Sequence, residues 1–228
     1  MGQLVWDFAC TERSLQRAVN VSSVPQRSPF RYPGGKTWFI PHLRRWLRSL
    51  SRKPALFIEP FAGGAIAGLT VAFERLAGRV ILVELDQDVG AVWQTILNGR
   101  GPYLAGRILH FQVSRASVSL ALARKPRTLE GRAFQTLLRN RVYHGGIMAP
   151  GASLMKNGEN GKGIGSRWYP ETLAERIRAI IAVRSRLEFR HGDGFAALRD
   201  FGDDSNAVFF LDPPYTVAAV SYTHLTLP

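Results

Sequence analysis

Short apolar runs alternate with longer amphipathic stretches along most of this chain. The runs at 55–59, 79–84 and 207–211 are almost continuously apolar, which is typical of strands buried on both faces of a parallel sheet, and a fourth strand is predicted at 187–191. Between them, apolar residues recur at helical spacing, as in the helix predicted from Thr37 onward. Strands that alternate with helices predict an α/β fold in which helices cover both faces of the sheet.

The predicted helices are separated from the strands by short turns. The helix after Thr37 tolerates Pro41 because that residue falls in its first turn. A second helix is predicted over about 65–76, after the Gly63-Gly64 turn, and a third over about 89–96. All four predicted strands end at or next to a polar or acidic residue, and ligands of open α/β sheets bind beyond those carboxyl ends.

Charge and cysteine content narrow the function classes. Thirty Lys and Arg against 17 Asp and Glu give a net charge of +13, which favours a polyanionic partner, nucleic acid ahead of an anionic membrane surface. Cys10 is the single cysteine, which excludes a disulfide framework and predicts a reducing compartment. No apolar run approaches the length that spans a bilayer. We therefore expect a soluble protein that requires neither a membrane nor a metal.

Residues 124–170 are strongly basic and rich in glycine. They hold nine Lys or Arg against two acids, and seven glycines lie between Gly145 and Gly165. This composition predicts a long loop that can approach a nucleic-acid backbone. The alternative is a solvated loop with a structural role alone.

The most specific motif is Asp212-Pro213-Pro214-Tyr215, directly after the last predicted strand. The prolines supply carbonyl acceptors and no amide donors, beside one carboxylate and one ring. An amino group on a heteroaromatic ring is a poor nucleophile because its lone pair is delocalised. Accepting its protons on Asp212 and the Pro213 carbonyl would localise that lone pair. The alternative is an ordinary Pro-Pro turn with a surface acid.

Two further segments carry candidate binding residues. The turn at 57–64 lets a ligand lie against bare backbone, and Glu84 follows Gly63 by about 20 residues, the distance of a ribose-binding acid. Departure from the Gly-x-Gly-x-x-Gly pattern argues against a dinucleotide site and leaves an adenosine-containing ligand open. The segment 31–37 lacks the first glycine and the leading strand of a phosphate-binding P-loop, so we exclude a nucleoside triphosphatase.

Together, the three segments resemble the Dam-type (D12 class) family of DNA adenine methyltransferases. Tyr32 to Lys36 is similar to that family's Pro-Gly-Gly-Lys segment, Glu59 to Gly64 to its Glu-Pro-Phe-x-Gly-Gly turn, and Asp212 to Tyr215 to its Asp-Pro-Pro-Tyr motif. The resemblance covers about residues 28–217. It implies a Rossmann-like sheet that binds S-adenosylmethionine and transfers its methyl group to the exocyclic N6 amine of adenine in DNA.

Roles for individual residues follow from this resemblance. It implies Asp212, Pro213, Pro214 and Tyr215 as the catalytic residues. It implies cofactor contacts by Tyr32, Lys36, Phe61, Gly63, Glu84, Asp193 and Asp212, with Asp193 near the adenine of the cofactor.

The basic region 124–170 occupies the place of the family's target-recognition insert. The resemblance implies double-stranded DNA with a flipped adenine as partner, and it is compatible with a restriction endonuclease as a second one. It also implies a cytoplasmic protein of bacterial or phage-like source. The expected DNA contacts are Arg139, Asn140, Arg141, Tyr143, Lys156 and Lys162.

The expected organisation is an N-terminal arm (1–29), a cofactor-binding part (30–123), the basic insert (124–170), the rest of the methyltransferase domain (171–219) and a non-native tail (220–228). Dam-type enzymes continue for about three strands beyond Asp-Pro-Pro-Tyr, whereas 13 residues follow Tyr215 here. We therefore expect a truncated enzyme with an exposed edge strand and little or no turnover. The alternative is a short authentic C-terminus.

Two other functions fit the same residues. One is methylation of adenine in RNA, or of another amine, with the same Asp-Pro-Pro-Tyr chemistry. The other is a catalytically silent DNA-binding protein that has kept the fold.

Overall fold

The fold is built on a parallel four-stranded sheet with the order β3-β2-β1-β4. The strands are β1 (Leu56–Glu59), β2 (Arg79–Glu84), β3 (Leu187–His191) and β4 (Ala207–Phe209). The predicted α/β class with a parallel sheet is confirmed. A computed structural model gives these coordinates, and it describes residues 24–31, 36–146, 152–156, 158, 161 and 163–213.

Helices connect and flank these strands. A short 3-10 turn at Lys36–Phe39 leads into the first of them, and Pro41 lies in its first turn as predicted. A π-helical turn at Ile96–Arg100 joins the third helix to the fourth. The helices are α1 (Ile40–Ser49), α2 (Ile66–Glu74), α3 (Gln87–Thr95), α4 (Gly101–His110), α5 (Arg115–Ala123), α6 (Leu129–Val142), α7 (Pro170–Ala182) and α8 (Gly194–Phe201).

Both faces of the sheet are covered, as the continuous apolar strands predict. Phe57 and Leu82 point into the larger core, which the helices of that face complete. Ile58 and Ile81 point the other way and pack with Ala197 of α8. Adjacent residues of one strand therefore enter different cores, because successive side chains of a strand point to opposite faces.

The order of the strands creates a switch point between β1 and β4. The chain runs outward from β1 through β2 to β3 and then returns to pair β4 with the other side of β1. The same order begins the doubly wound nucleotide-binding folds, whose ligands sit where the strand order reverses. The architecture is therefore compatible with a Rossmann-like fold, and it makes the carboxyl ends of β1 and β4 the first place to look for a site.

The first part of the region 124–170 contributes side chains to the larger core. This part is α6, whose Phe134, Leu137 and Leu138 are buried in the same core as α3. These apolar residues recur at helical spacing, and Arg141 of the same helix is buried as well. The predicted boundary at residue 124 is therefore no break in the core.

The last strand is shorter than predicted. β4 ends at Phe209, two residues early, although the Phe210 N–H still donates to the carbonyl of Ile58 (2.9 Å). In the part of the chain that the structure describes, β4 pairs with β1 alone, and its side chains are half-buried. Within the same residues, no helix combines the length and the apolar character needed to cross a bilayer.

Candidate functional site

Lys36 and Asp212 form an ion pair at the carboxyl edge of the sheet. The Lys36 Nζ lies 2.8 Å from Asp212 Oδ2, and both side chains are mostly buried. Lys36 comes from the turn before α1, whereas Asp212 follows β4 at the switch point. Two of the three sequence motifs therefore meet in space.

Hydrogen bonds to Glu84 and Trp93 hold the glycine-rich turn after β1. The Gly63 N–H donates to Glu84 Oε2 (2.8 Å), and the Gly63 carbonyl accepts from the Trp93 Nε1–H (2.8 Å). Gly63 has a φ of +45°, a backbone conformation that favours glycine. The turn is therefore fixed against the end of β2 and against α3.

Glu84 is occupied by backbone donors. Its Oε1 accepts from the Asp86 N–H (2.9 Å), and its Oε2 accepts from Gly63. A carboxylate has about four acceptor positions, two on each oxygen. Glu84 can therefore hold the turn and still accept hydroxyl donors from a bound ligand.

Glu59 is a functional candidate that the sequence analysis did not single out. It is the last residue of β1, 3% exposed, and its Oε2 accepts from the Gly68 N–H (2.7 Å). The pKa of Glu59 is raised to about 8, chiefly by burial and in smaller part by the charges of Asp212 and Glu84, against the opposing Gly68 bond. An acid that closes an apolar strand just before a proline is the signal that could have identified it.

We call Lys36, Glu59, Gly63, Glu84 and Asp212 the strand-end site. The ion pair joins Lys36 to Asp212, and the hydrogen bond joins Gly63 to Glu84. Glu59 is within electrostatic reach of both pairs. Glu59 is mainly neutral at pH 7 and Asp212 is paired with Lys36, so the carboxylate of Glu84 leaves the strand-end site with negative charge that favours a positively charged ligand.

The pKa of Glu59 predicts a pH-dependent stability. In the unfolded chain this group returns to its ordinary value of 4.5, so between pH 4.5 and 8 the folded state binds more protons and the free energy of unfolding falls as pH rises. Glu59→Gln, which is always neutral and still accepts from Gly68, should remove a decline on the order of a few kcal/mol. Urea unfolding at pH 5 and pH 8 measures this.

The matched control is Glu171→Gln, because Glu171 is exposed. It should keep the decline of the wild-type protein. An unchanged decline in Glu59→Gln would show that Glu59 is ionised in the folded protein.

The end of β3 packs against the end of β1. The Asp193 carboxylate accepts from the Phe195 N–H (3.0 Å) at the start of α8. The rings of Phe61 and Phe195 meet edge to face, with centroids 5.3 Å apart. A Cβ on Gly194 would lie 2.3 Å from the Pro60 carbonyl oxygen, so this approach requires glycine. Asp193 and Phe61 are thus brought together beside Phe195, as the predicted cofactor contacts require.

Four large apolar side chains close in sequence to the predicted site residues face solvent. Each lies within two residues of a predicted site residue, and each is more than half exposed. Exposed apolar residues grouped in this way are typical of a binding surface for an apolar or aromatic ligand. They are Trp38, Leu85, Phe195 and Leu211.

Some predicted site residues lie outside the described part of the chain. These are Tyr32 among the cofactor contacts, Pro214 and Tyr215 in the catalytic motif, and Lys162 among the DNA contacts. Pro213 is described and is exposed next to Asp212.

The predicted DNA contacts do not share one surface. Lys156 is exposed and borders a cavity of about 380 Å³, which Arg167 and His144 also line. Tyr143 is half-buried and forms an isolated antiparallel bridge with Leu154. These residues lie around the Gly145-Gly146 turn at the end of α6.

Arg139 is engaged by an acid of the neighbouring helix. Its guanidinium lies 2.9 Å from Asp88 at the start of α3, and Arg132 binds the other oxygen of the same carboxylate at 2.9 Å. A phosphate contact by Arg139 would therefore compete with this pair.

Asn140 and Arg141 are buried, whereas the prediction places them at a DNA-facing surface. Asn140 is 0% exposed and Arg141 is 5% exposed, so neither side chain faces a surface that DNA could reach. Burial lowers the pKa of Arg141 to about 10, and the charges of Arg176 and Arg31 lower it further. Both side chains bind the backbone of residues 29–31 instead.

Comparison with protein-family models and with curated proteins found no match for this chain. Among the described residues, no three His, Cys, Asp or Glu side chains are grouped so that they could hold a metal ion.

Proposed function

We propose that this protein transfers a methyl group from S-adenosylmethionine to the exocyclic N6 amine of adenine in DNA. The observation that carries the proposal is the strand-end site itself. Lys36, Gly63 and Asp212 come from three separate motifs, and contacts of 2.8 Å fix each of them at the carboxyl edge of one parallel sheet. The same motifs, in the same order, carry the resemblance to Dam-type methyltransferases.

The strand-end site fits the chemistry of this cofactor. S-adenosylmethionine supplies a methyl group on a positively charged sulfur, and it also carries an adenosine. The carboxylates of the site favour the positive charge, and Glu84 retains acceptor capacity for ribose hydroxyls. Phe61 and the exposed Phe195 offer an apolar surface for a ring beside Asp193.

Asp212 is the group that would act on the target amine. Lys36 holds one of its oxygens, which fixes the carboxylate in place. An adenine amine that donates a hydrogen bond to this carboxylate and another to the Pro213 carbonyl gains lone-pair density on nitrogen. Transfer then depends on positioning and on this activation, without a metal.

DNA is the substrate that the charge of the chain favours. A target base must leave the duplex stack to reach Asp212, at a cost of a few kcal/mol that phosphate contacts and base stacking offset. Lys156 is exposed beside a cavity near the end of α6 and is the best-placed described residue for such a contact.

Salt dependence tests the assignment of Lys156. Lys156→Gln should reduce the slope of log affinity against log salt by about one, since one phosphate contact is lost. Lys53→Gln is the matched control, because Lys53 is exposed just before β1, at the opposite edge of the sheet. Equal slopes in the two variants would remove Lys156 from the DNA interface.

The function as a whole is tested by binding and by transfer. Calorimetry with S-adenosylmethionine should show a single site whose affinity depends on Glu84. Transfer of labelled methyl to DNA and to RNA, run in parallel, separates the proposal from RNA methylation and from a silent DNA-binding protein.

A further inference from the structure

Residues 27–31 form no regular secondary structure, yet a different contact fixes each of them. Arg27 binds Glu74 of α2 (3.0 Å), and its guanidinium lies over the Phe73 ring (5.1 Å). The Ser28 carbonyl accepts from Arg176 of α7 (3.0 Å). This 27–31 segment is therefore held from several helices at once.

The middle of the segment is held by the core and by α6. The Pro29 carbonyl accepts from Arg141 (2.7 Å). Phe30 is buried with its ring centroid 5.9 Å from that of Trp93, the same residue that donates to Gly63 in the strand-end site. The segment therefore packs directly behind the glycine-rich turn.

Asn140 joins this segment to the turn that follows α6. Its Oδ1 accepts from the Arg31 N–H (2.8 Å), and its Nδ2 donates to the carbonyls of Arg31 (2.9 Å) and Gly146 (3.1 Å). The side chain is fully buried, so each of these bonds would be costly to lose.

Gly146 approaches the segment too closely for any side chain. It has a φ of +75°, and a Cβ at this position would lie 2.8 Å from the Arg31 carbonyl oxygen. Backbone therefore packs on backbone here, next to the Asn140 bonds.

We propose that Asn140 and Gly146 are positioning residues that hold the 27–31 segment so that Lys36 reaches Asp212. Lys36 lies five residues after Arg31 along the chain, so the place of Arg31 limits where Lys36 can be. Both residues sit where the resemblance implies DNA contacts, but their bonds run to the segment that delivers the cofactor-site lysine. The cofactor readout below rests on the proposed function, whereas the exchange readout does not.

Amide hydrogen exchange of the ligand-free protein tests the positioning directly. Asn140→Asp keeps the acceptor for Arg31 and loses both donated bonds, and Gly146→Ala adds the methyl group that meets the Arg31 carbonyl. Both variants should exchange about tenfold faster or more at Lys36–Phe39, where no residue has been changed.

Two control variants separate positioning from general destabilisation. Thr136→Val removes a buried hydroxyl that bonds only within α6 (2.9 Å to the Arg132 carbonyl), one turn before Asn140. Gly99→Ala adds a methyl group at another glycine of positive φ (+87°), where a Cβ meets nothing within 4 Å. Neither control should speed exchange at Lys36–Phe39. Unchanged exchange there in Asn140→Asp and Gly146→Ala, or equal acceleration in the controls, would overturn the proposal.

A double-mutant cycle tests whether Asn140 acts through Lys36. Asn140→Asp should weaken S-adenosylmethionine binding about tenfold in the wild-type background and hardly at all when Lys36→Met is already present. A full tenfold effect in the Lys36→Met background would also overturn the proposal. If the wild-type protein fails to bind S-adenosylmethionine, the proposed function fails, and the exchange experiment still decides the positioning role.

Discussion

Asp212→Ala, tested in a version of the chain extended with a Dam-like C-terminal segment, is expected to abolish methyl transfer to DNA, a loss of about 10³-fold or more, while DNA affinity changes by no more than a few fold. The reason is the place of the carboxylate at the end of β4, where Lys36 holds it at 2.8 Å. In the proposed mechanism this carboxylate acts on the target amine and makes no phosphate contact, so its removal should not weaken DNA binding. Labelled methyl incorporation and DNA titration measure the two effects separately.

Asp212→Asn is the matched control because it preserves the size and shape of the side chain. It keeps a carbonyl acceptor for the amine but loses the negative charge that pairs with Lys36. It should therefore retain part of the activity that the alanine variant loses. Turnover at the wild-type rate in Asp212→Ala would exclude this residue from the chemistry and contradict the assignment of the site.

Glu84→Ala should weaken S-adenosylmethionine binding about 100-fold. Glu84 fixes the glycine-rich turn through Gly63 and the start of α3 through Asp86, and it is placed to accept ribose hydroxyls as well. Two charge-assisted bonds account for a loss of this size. Lys36→Met should weaken the same binding about tenfold, because one ion pair is lost.

Calorimetry with S-adenosylmethionine measures both losses, and Glu188→Ala is the control. Glu188 is an acid on the neighbouring strand β3 whose partners are the surface arginines Arg79 and Arg190. Its loss should leave cofactor affinity unchanged. Unchanged affinity in both Glu84→Ala and Lys36→Met would show that the motifs do not bind this cofactor.

The strands were predictable because a buried parallel strand leaves a continuous apolar run. The predicted bounds of β2 and β3 match the structure residue for residue. The order β3-β2-β1-β4 was not predicted, because nothing in a local pattern says which strands pair. That order places Asp212 beside the end of β1.

The ion pair of Lys36 with Asp212 was partly predictable. The sequence indicates a lysine presented to a carboxylate, and the structure identifies that carboxylate as Asp212. Glu59 was not predicted as a site residue because its raised pKa depends on burial, which the residue type does not reveal.

The DNA contacts predicted in the region around α6 differ from the contacts that the structure shows. The basic surplus of 124–170 favoured a DNA-binding role for the region. The apolar spacing of Phe134, Leu137 and Leu138 instead indicates the buried face of α6. Asn140 and Arg141 were expected at a DNA surface because the resemblance places them in the target-recognition region of the family. Both residues bind backbone more than 100 residues away along the chain, beyond the reach of any local pattern.

The most direct test of the account is transfer of labelled methyl from S-adenosylmethionine to DNA and to RNA. The 228-residue chain is assayed beside a version extended with a Dam-like C-terminal segment. The account predicts N6-methyladenine in DNA, none in RNA, and loss of the signal in Asp212→Ala. The account is contradicted if neither version transfers methyl to DNA, or if the label appears on another group.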